Sequence, residues 1–271
     1  MERKHRLLLA AARAAVVAGE KIMEIYAAPE TEWEVETKAD HSPLTRADRE
    51  AHAAISAALA PEGLPLLSEE GAHEAYDVRR TWRELWIVDP LDGTKEFLKR
   101  NGEFTVNIAL VADGSPVMGV IYVPVRRTLC FGIVGEGAWR LGQCPAALPD
   151  SWEGLTATSE RLPERGDREG FVVVASRSHL SPETSNFIDR LRATHGNVTL
   201  CSAGSSLKLC LVAEGRADVY PRMAPTMEWD TAAGDAIVRA AGGRTVRADD
   251  GKPLIYNKED LHNPWFVVYP A

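Results

Sequence analysis

Three short acidic stretches in the 271-residue sequence could do chemistry: Ser68-Glu69-Glu70-Gly71, then Asp89-Pro90-Leu91-Asp92-Gly93-Thr94, then Trp229-Asp230 ahead of Thr231-Ala232-Ala233-Gly234. Each follows apolar residues, so each acid sits where a core element gives way to a loop. Singly they have ordinary explanations: a turn built from Asp, Pro and Gly, a solvated loop at Glu69-Glu70, and a helix N-cap at Asp230. A buried unpaired carboxylate is costly, however, and acids at core edges normally meet a cation, a donor cluster or water. Together the three stretches can share two hard cations. Asp89 can bridge both, Glu69 completing one site and Asp92 with Asp230 the other, while a backbone carbonyl between the two aspartates adds an uncharged oxygen. An all-oxygen donor set suits Mg2+, which keeps several waters and shares phosphate oxygens with a substrate. Two such ions stabilise the attacking and leaving oxygens of an in-line displacement, so the chemistry suggested is phosphate ester hydrolysis.

The rest of the chain limits the alternatives. With 45% hydrophobic and 26% charged residues it can bury a sizeable core, as one large domain or two small ones. A formal net charge of -8 and the lack of a long basic run argue against a nucleic-acid polymer or an anionic membrane surface as the main partner. A small polyanion stays possible if bound cations reverse the local field. Cys130, Cys144, Cys201 and Cys210 are far apart with no CxxC, and the seven histidines have no metal spacing. The default compartment is the cytoplasm. The basic start and apolar stretch at the N-terminus resemble a signal peptide, but Arg13 interrupts the run. Leu8, Ala11, Ala15, Ala18, Ile22 and Ile25 follow a helical period, which predicts an amphipathic helix of the fold and no membrane anchor.

The elements that must position the acids can be read in outline. A helix is expected over Thr45–Leu59, and a polar loop over Thr37–Ser42. From Trp86 onward the pattern is strand-rich, with Thr105–Val111, Pro116–Val123 and Leu129–Val134 separated by turns, as in an antiparallel sheet. Residues Gly142–Gly170 read as a linker. Beyond it, strands at Phe171–Ala175, Val198–Cys201 and Ala217–Tyr220 alternate with helices at Pro182–Thr194, Ser205–Glu214 and Thr231–Ala241. The division expected is an α+β half over residues 1–150 holding most metal ligands, and an α/β half over 151–271 with substrate contacts and the last ligand.

The segments SEEG, WIVDPLDGTKEF and WDTAAGDAIVRAAGG, in this order, resemble the three signatures of the lithium-sensitive, magnesium-dependent inositol monophosphatase superfamily. The resemblance implies a layered αβαβα sandwich and two or three Mg2+ ions held by Glu69, Asp89, the Leu91 carbonyl, Asp92 and Asp230. It also implies that Thr94 and Asp48 form a pair that activates the nucleophilic water, with Glu70 acting behind the ligands. Gly93 would let the backbone approach phosphate, and a helix beginning at Thr94 would aim its N–H groups at the anion.

Residues outside the metal core indicate the branch. Thr94 is followed by Lys95-Glu96-Phe97 where inositol monophosphatases usually have Asn-Phe, and the run VDPLDGTKEFLKRNGEFTVNIALV is similar to bacterial 3'(2'),5'-bisphosphate nucleotidases. So are ASRSH (175–179), GSSLKLCLVAEGRADVYPR (204–222) and APTMEWDTAAG (224–234). This similarity implies hydrolysis of adenosine 3',5'-bisphosphate to AMP and phosphate, with its 5'-phosphosulfate analogue as a second substrate. The metals would take the 3'-phosphate, and Ser205, Lys208, Arg222, Ser176 and His179 the distal phosphate. Inositol phosphates or fructose 1,6-bisphosphate are the rival substrates, and a non-catalytic nucleotide-binding regulator is the rival of a different class. Peripheral contact with the inner membrane, and the choice of monomer or homodimer, stay open.

Overall fold

The computed structural model describes residues 2–38, 42–164, 170–175 and 181–271. The N-terminal apolar period is met by α1 (Glu2–Ala27), in which Leu8, Ala11, Ala15, Ala18, Ile22 and Ile25 are at most 1% exposed. Arg6 and Arg13 face outward, paired with Glu62 and Asp150; such exposed pairs add little stability. After the short strands β1 (Glu36–Thr37) and β2 (Pro43–Leu44) comes α2 (Arg46–Leu59). It buries Ala47, Ala51, Ile55 and Leu59, a stripe at four-residue spacing that lies against the alanines of α1. Small side chains on both helices let them approach closely.

The strand-rich segment forms one sheet, of seven strands among the described residues, in the order β3-β4-β5-β6-β7-β8-β9. Its members are β3 (Leu66–Ser68), β4 (Glu84–Asp92), β5 (Thr105–Ala112), β6 (Ser115–Val123), β7 (Thr128–Ile133), β8 (Gly137–Leu141) and β9 (Glu160–Leu162), with the short helices α3 (Tyr76–Arg79), α4 (Thr94–Leu98) and α5 (Trp152–Ala157) between them. Only the β3–β4 pairing is parallel. The two faces of β4 enter different cores: Trp86 and Val88 join the α1 and α2 side, Leu85 and Ile87 the opposite side. A strand covered on both faces must be apolar throughout, which explains the unbroken Leu85–Val88 run. Part of the segment read as a linker is ordered structure: within it α5 forms and β9 pairs with β8, so the large sheet takes in residues as far as Leu162.

The remaining chain alternates as expected: β10 (Phe171–Ala175), α6 (Pro182–His195), β11 (Val198–Ser202), α7 (Leu207–Ala213), β12 (Tyr220–Arg222), α8 (Glu228–Ala240), β13 (Arg244–Arg247) and β14 (Phe266–Tyr269). The expected Ala217–Tyr220 strand is displaced, because Val219 makes a single bridge to Val173 and ladder pairing starts at Tyr220. β10 and β11 pair in parallel, and β12, β14 and β13 form a second small antiparallel sheet. With α1 and α2 on one face of the large sheet, α7 and α8 on the other, and the small sheets and α6 beyond, the architecture is an αβαβα sandwich of the α+β class. Among the described residues no helix is long and apolar enough to cross a membrane.

Gly119 marks how tightly α8 lies on the large sheet. A Cβ there would collide with the Ala233 carbonyl oxygen and sit 2.9 Å from its carbon. Backbone cannot yield as a flexible side chain does, so Gly119→Ala should destabilise the protein by about 1–3 kcal/mol. Urea unfolding measures this, and an unchanged midpoint would show that α8 is not seated this closely.

Candidate active site

Residues three apart on a regular strand point to opposite faces, so Asp89 and Asp92 should diverge. The β4–β5 register prevents it. Asp89 pairs with Asn107 and Asp92 with Thr105, so three steps along β4 match two along β5. The extra residue is a β-bulge, which bends the strand and re-aims its side chains. It falls at Pro90-Leu91, where proline has no N–H to give a ladder. Both carboxylates then turn to one side, where α8 brings Asp230. Ligand oxygens of Asp89, Asp92 and Asp230 all lie within 4.8 Å of one another. Asp230 is the third residue of α8 rather than its N-cap: Oδ2 accepts the Met227 N–H at 2.8 Å, holding the carboxylate at the helix start.

Asp48 reaches the site from α2. Its Oδ2 accepts the N–H and hydroxyl of Thr45 at 2.7 and 2.6 Å, a capping box that fixes the side chain. Oδ1 is left to accept the Thr94 hydroxyl at 3.1 Å, so the Thr94 and Asp48 side chains meet. Thr94 begins α4 just after Gly93, whose φ is +96°. The space beside Gly93 is taken by Ser205 Oγ, which a Cβ there would strike.

Glu69 and Glu70 extend from the end of β3, and the Lys38 ammonium joins them, donating to Glu69 Oε1 at 2.7 Å and to Glu70. Against the desolvation that would lower it, the two glutamates raise the Lys38 pKa. Among the described residues no ammonium or guanidinium is ion-paired with Asp89, Asp92 or Asp230, and the pull of Arg222 on Asp230 is outweighed. Burial, then Glu69, Asp92, Asp230 and Asp48, push Asp89 well above the ordinary aspartate range. Burial and then Asp92 push Asp230 up to about 8. Asp48 is raised too, mainly by burial, while Thr45 pulls the other way. Oxygen-only, mutually repelling and 1% exposed at Asp89, this donor set fits a hard divalent cation. The structure gathers Asp89, Asp92 and Asp230 as the groups available to hold one, while Glu69 is ion-paired with Lys38.

A cavity of about 160 Å3 adjoins the aspartates, and its lining includes the acids Asp92, Asp230 and Glu96 together with the cations Lys95, Lys208 and Arg222. Lys208 is almost fully buried. It donates to the carbonyls of Ala203 and Ser205 at 3.2 and 2.7 Å, and lies 5.7 Å from the Tyr220 ring centroid. Desolvation draws its pKa down to about 8, against the pull of Asp92. Arg222 donates to the Pro225 carbonyl at 3.0 Å, and its Nε is buried without a hydrogen-bond partner. Ser205 behaves differently from the phosphate contact expected of it. Its hydroxyl lies 2.9 Å from the Asp92 carbonyl and 2.6 Å from that of Glu103, so its one proton goes to main-chain oxygen. Ser176 and His179 lie outside the described residues.

Several contributors were not singled out from sequence. Ser206 donates to Asp92 Oδ2 at 2.7 Å, Asn107 donates to Ser206 Oγ at 2.8 Å, and Lys38 bridges Glu69 and Glu70, offsetting one of their two charges. The available signal was Asn107 itself, an amide inside the apolar strand Thr105–Ala112, because a buried amide needs partners.

Residues 3–265 match the model of the inositol monophosphatase family. The 3'(2'),5'-bisphosphate nucleotidase CysQ of Shigella flexneri is 44% identical over 255 residues, covering 93% of this chain and 94% of that protein. The crystal structure of CysQ from Bacteroides thetaiotaomicron, a bacterial member of the inositol monophosphatase family, aligns with a TM-score of 0.90 at 57% identity, covering 97% of this chain and 96% of that one. The extragenic suppressor protein suhB from Bartonella henselae aligns with a TM-score of 0.75 at 27% identity, covering 98% and 94%.

The raised carboxyl groups give the metal-free protein a definite pH dependence. An acid whose folded pKa lies above its unfolded value binds more protons when folded, so its stabilising contribution is present at low pH and lost as pH rises through the folded value. For Asp230 that loss runs from the ordinary aspartate value of 3.8 to about 8, and Asp89, held well above the ordinary aspartate range, adds to it in the same direction. His52, lowered by burial, acts in the opposite sense as a single group. Melting temperature in chelator should therefore fall between pH 5 and 8, while Mg2+ should raise it more at pH 8 than at pH 5. A metal-free melting temperature that is flat or rises over this range would contradict the buried, unneutralised cluster.

Proposed function

This chain belongs to the inositol monophosphatase family, and we propose that within it the enzyme is a 3'(2'),5'-bisphosphate nucleotidase, hydrolysing the 3'-phosphate of adenosine 3',5'-bisphosphate to leave AMP and phosphate. The observation that carries this reading is the shared cavity, whose lining combines the clustered carboxylates Asp92 and Asp230 with the cations Lys208 and Arg222. A monophosphate needs one anion site. A bisphosphate needs two, and the Lys208 and Arg222 side chains in the cavity lining are cations of the kind the second would need. The similarity to CysQ proteins supports the same substrate class. The 5'-phosphosulfate analogue presents the same two anionic ends and is a second substrate of the proposal.

Two or three Mg2+ ions are the cofactor that Glu69, Asp89, the Leu91 carbonyl, Asp92 and Asp230 fit. When bound, they neutralise the cluster, acidify the attacking water and stabilise the departing ribose oxygen. The protein's own groups handle the proton. Thr94 Oγ1 takes it from the attacking water while passing its hydrogen-bonded proton to Asp48 Oδ1, 3.1 Å away. Burial raises Asp48 and makes it a better acceptor, and Thr45 fixes the carboxylate so that Oδ1 stays on Thr94. Glu70 acts through Lys38 and Glu69 rather than on the substrate. The bond from water oxygen to phosphorus forms as the bond to the ribose 3'-oxygen breaks. The distal phosphate is held by Arg222 and by Lys208, two of whose three protons are already given to carbonyls.

Asp92→Asn should cut phosphate release from adenosine 3',5'-bisphosphate by orders of magnitude in a folded protein, since a ligand carboxylate is lost. Normal turnover in that variant would remove the metal assignment. Lys208→Ala tests the substrate. It removes a charge-assisted contact of about 1.5–3 kcal/mol, so kcat/KM for the bisphosphate should fall roughly ten- to a hundredfold. Adenosine 3'-monophosphate, without the distal group, should lose little. In the wild type the ratio of the two kcat/KM values should also decline as pH rises through about 8, where Lys208 of the free enzyme loses its proton. Equal losses on both substrates would refute the role of Lys208, and a wild-type preference for inositol 1-phosphate would overturn the nucleotidase reading.

A further inference from the structure

Asp92 is held from behind by a chain of buried hydrogen bonds that reaches across the molecule. Thr105 donates its hydroxyl to Asn107 Oδ1 at 3.0 Å, which turns the Asn107 amide nitrogen toward Ser206 Oγ at 2.8 Å and Asp92 Oδ2 at 3.3 Å. Ser206 Oγ, accepting from Asn107, has one proton to give. Asp92 Oδ2 lies 2.7 Å away and the Asp230 carbonyl oxygen 2.9 Å away. The ionised carboxylate is the stronger acceptor, so the proton goes to Asp92. Thr105, Asn107 and Ser206 are each at most 2% exposed, so water cannot replace these donors without rearrangement.

The direction of the chain is therefore set: Thr105 to Asn107 to Ser206 to Asp92. Both donors to the carboxylate reach Oδ2, which leaves Oδ1 for a cation. Ser206 comes from the residue capping α7, Asn107 from β5 and Asp92 from the β4 bulge, so three elements fix one carboxylate. A carboxylate in a like-charged cluster would otherwise swing away from Asp89 and Asp230.

We propose that Ser206, oriented by Asn107, is a positioning residue that holds Asp92 in its metal-binding orientation and so sets the affinity of the site that Asp92 shares with Asp230. This rests on the metal assignment above. Groups that orient a ligand carboxylate in this way are worth about ten- to a hundredfold in metal affinity.

Mn2+ binding to the intact, metal-stripped protein without substrate, followed by the electron paramagnetic resonance of free Mn2+, tests it independently of turnover. Ser206→Ala should weaken one class of Mn2+ sites about tenfold or more, with the melting temperature of the metal-free protein little changed. Ser206→Thr, which restores the hydroxyl, should recover most of the affinity. Asn107→Leu should give a similar loss, and combining it with Ser206→Ala should not multiply the two, because both break the same bridge. At saturating Mg2+ the Ser206→Ala enzyme should regain most of its kcat, the deficit appearing as a higher Mg2+ requirement. Wild-type Mn2+ affinity in folded Ser206→Ala, or in Asn107→Leu should the alanine variant not fold, would overturn the proposal. A wild-type protein that binds no Mn2+ would remove the metal assignment and the proposal with it.

Discussion

The repulsion among carboxylates gathered at the edge of an apolar core is the constraint on which the rest of this structure depends. Oxygens of Asp89, Asp92 and Asp230 lie within 4.8 Å of one another. At the effective dielectric of about 20 that suits partly buried charges, each ionised pair costs at least about 3.5 kcal/mol. Three pairs then amount to about 10 kcal/mol, comparable with the whole stability of a typical domain. The cluster can persist at neutral pH only if protons or cations relieve it. The raised Asp89 and Asp230 pKa values record the first remedy, and the oxygen-only geometry is arranged for the second. The surrounding fold is rigid where this strain acts. A bulge turns two aspartates the same way, a helix start pins the third, and a capping box immobilises Asp48.

The sequence made some of this legible and hid the rest for identifiable reasons. The helical period of α1, the unbroken Leu85–Val88 run and the alternating second half announce their elements, because side-chain burial leaves a periodic mark. The acids were visible because each ends an apolar run. The short β9 was hidden. Three residues among Pro, Gly and charged neighbours leave no period, and its place is decided by the exposed edge of β8. Ser205 was misleading for a related reason. Its hydroxyl type fits phosphate, but with φ of +46° it points back to the carbonyls of Asp92 and Glu103. Lys38 meets Glu69 across 31 residues and Ser206 meets Asp92 across 114. Partnerships of that range depend on how layers stack, which local pattern does not encode.

Carboxylates and cations line one cavity, and the coupling between them offers a way for an acidic protein to hold a polyanion. Lys208 is buried deeply enough to be drawn down to about 8, and Asp92 is the main charge keeping it protonated. Cations entering the carboxylate cluster satisfy Asp92 and Asp230 and withdraw that support. A phosphate placed near Lys208 and Arg222 would restore it, favouring the charged ammonium as Asp92 did before. Under the proposed assignment, metal and distal phosphate would favour each other through the charge balance of one cavity, with no movement of the backbone required. On the proposed assignment, a ligand with only the reacting phosphate would leave Lys208 less supported, so a cavity built this way would discriminate against monophosphates by what it leaves unsatisfied.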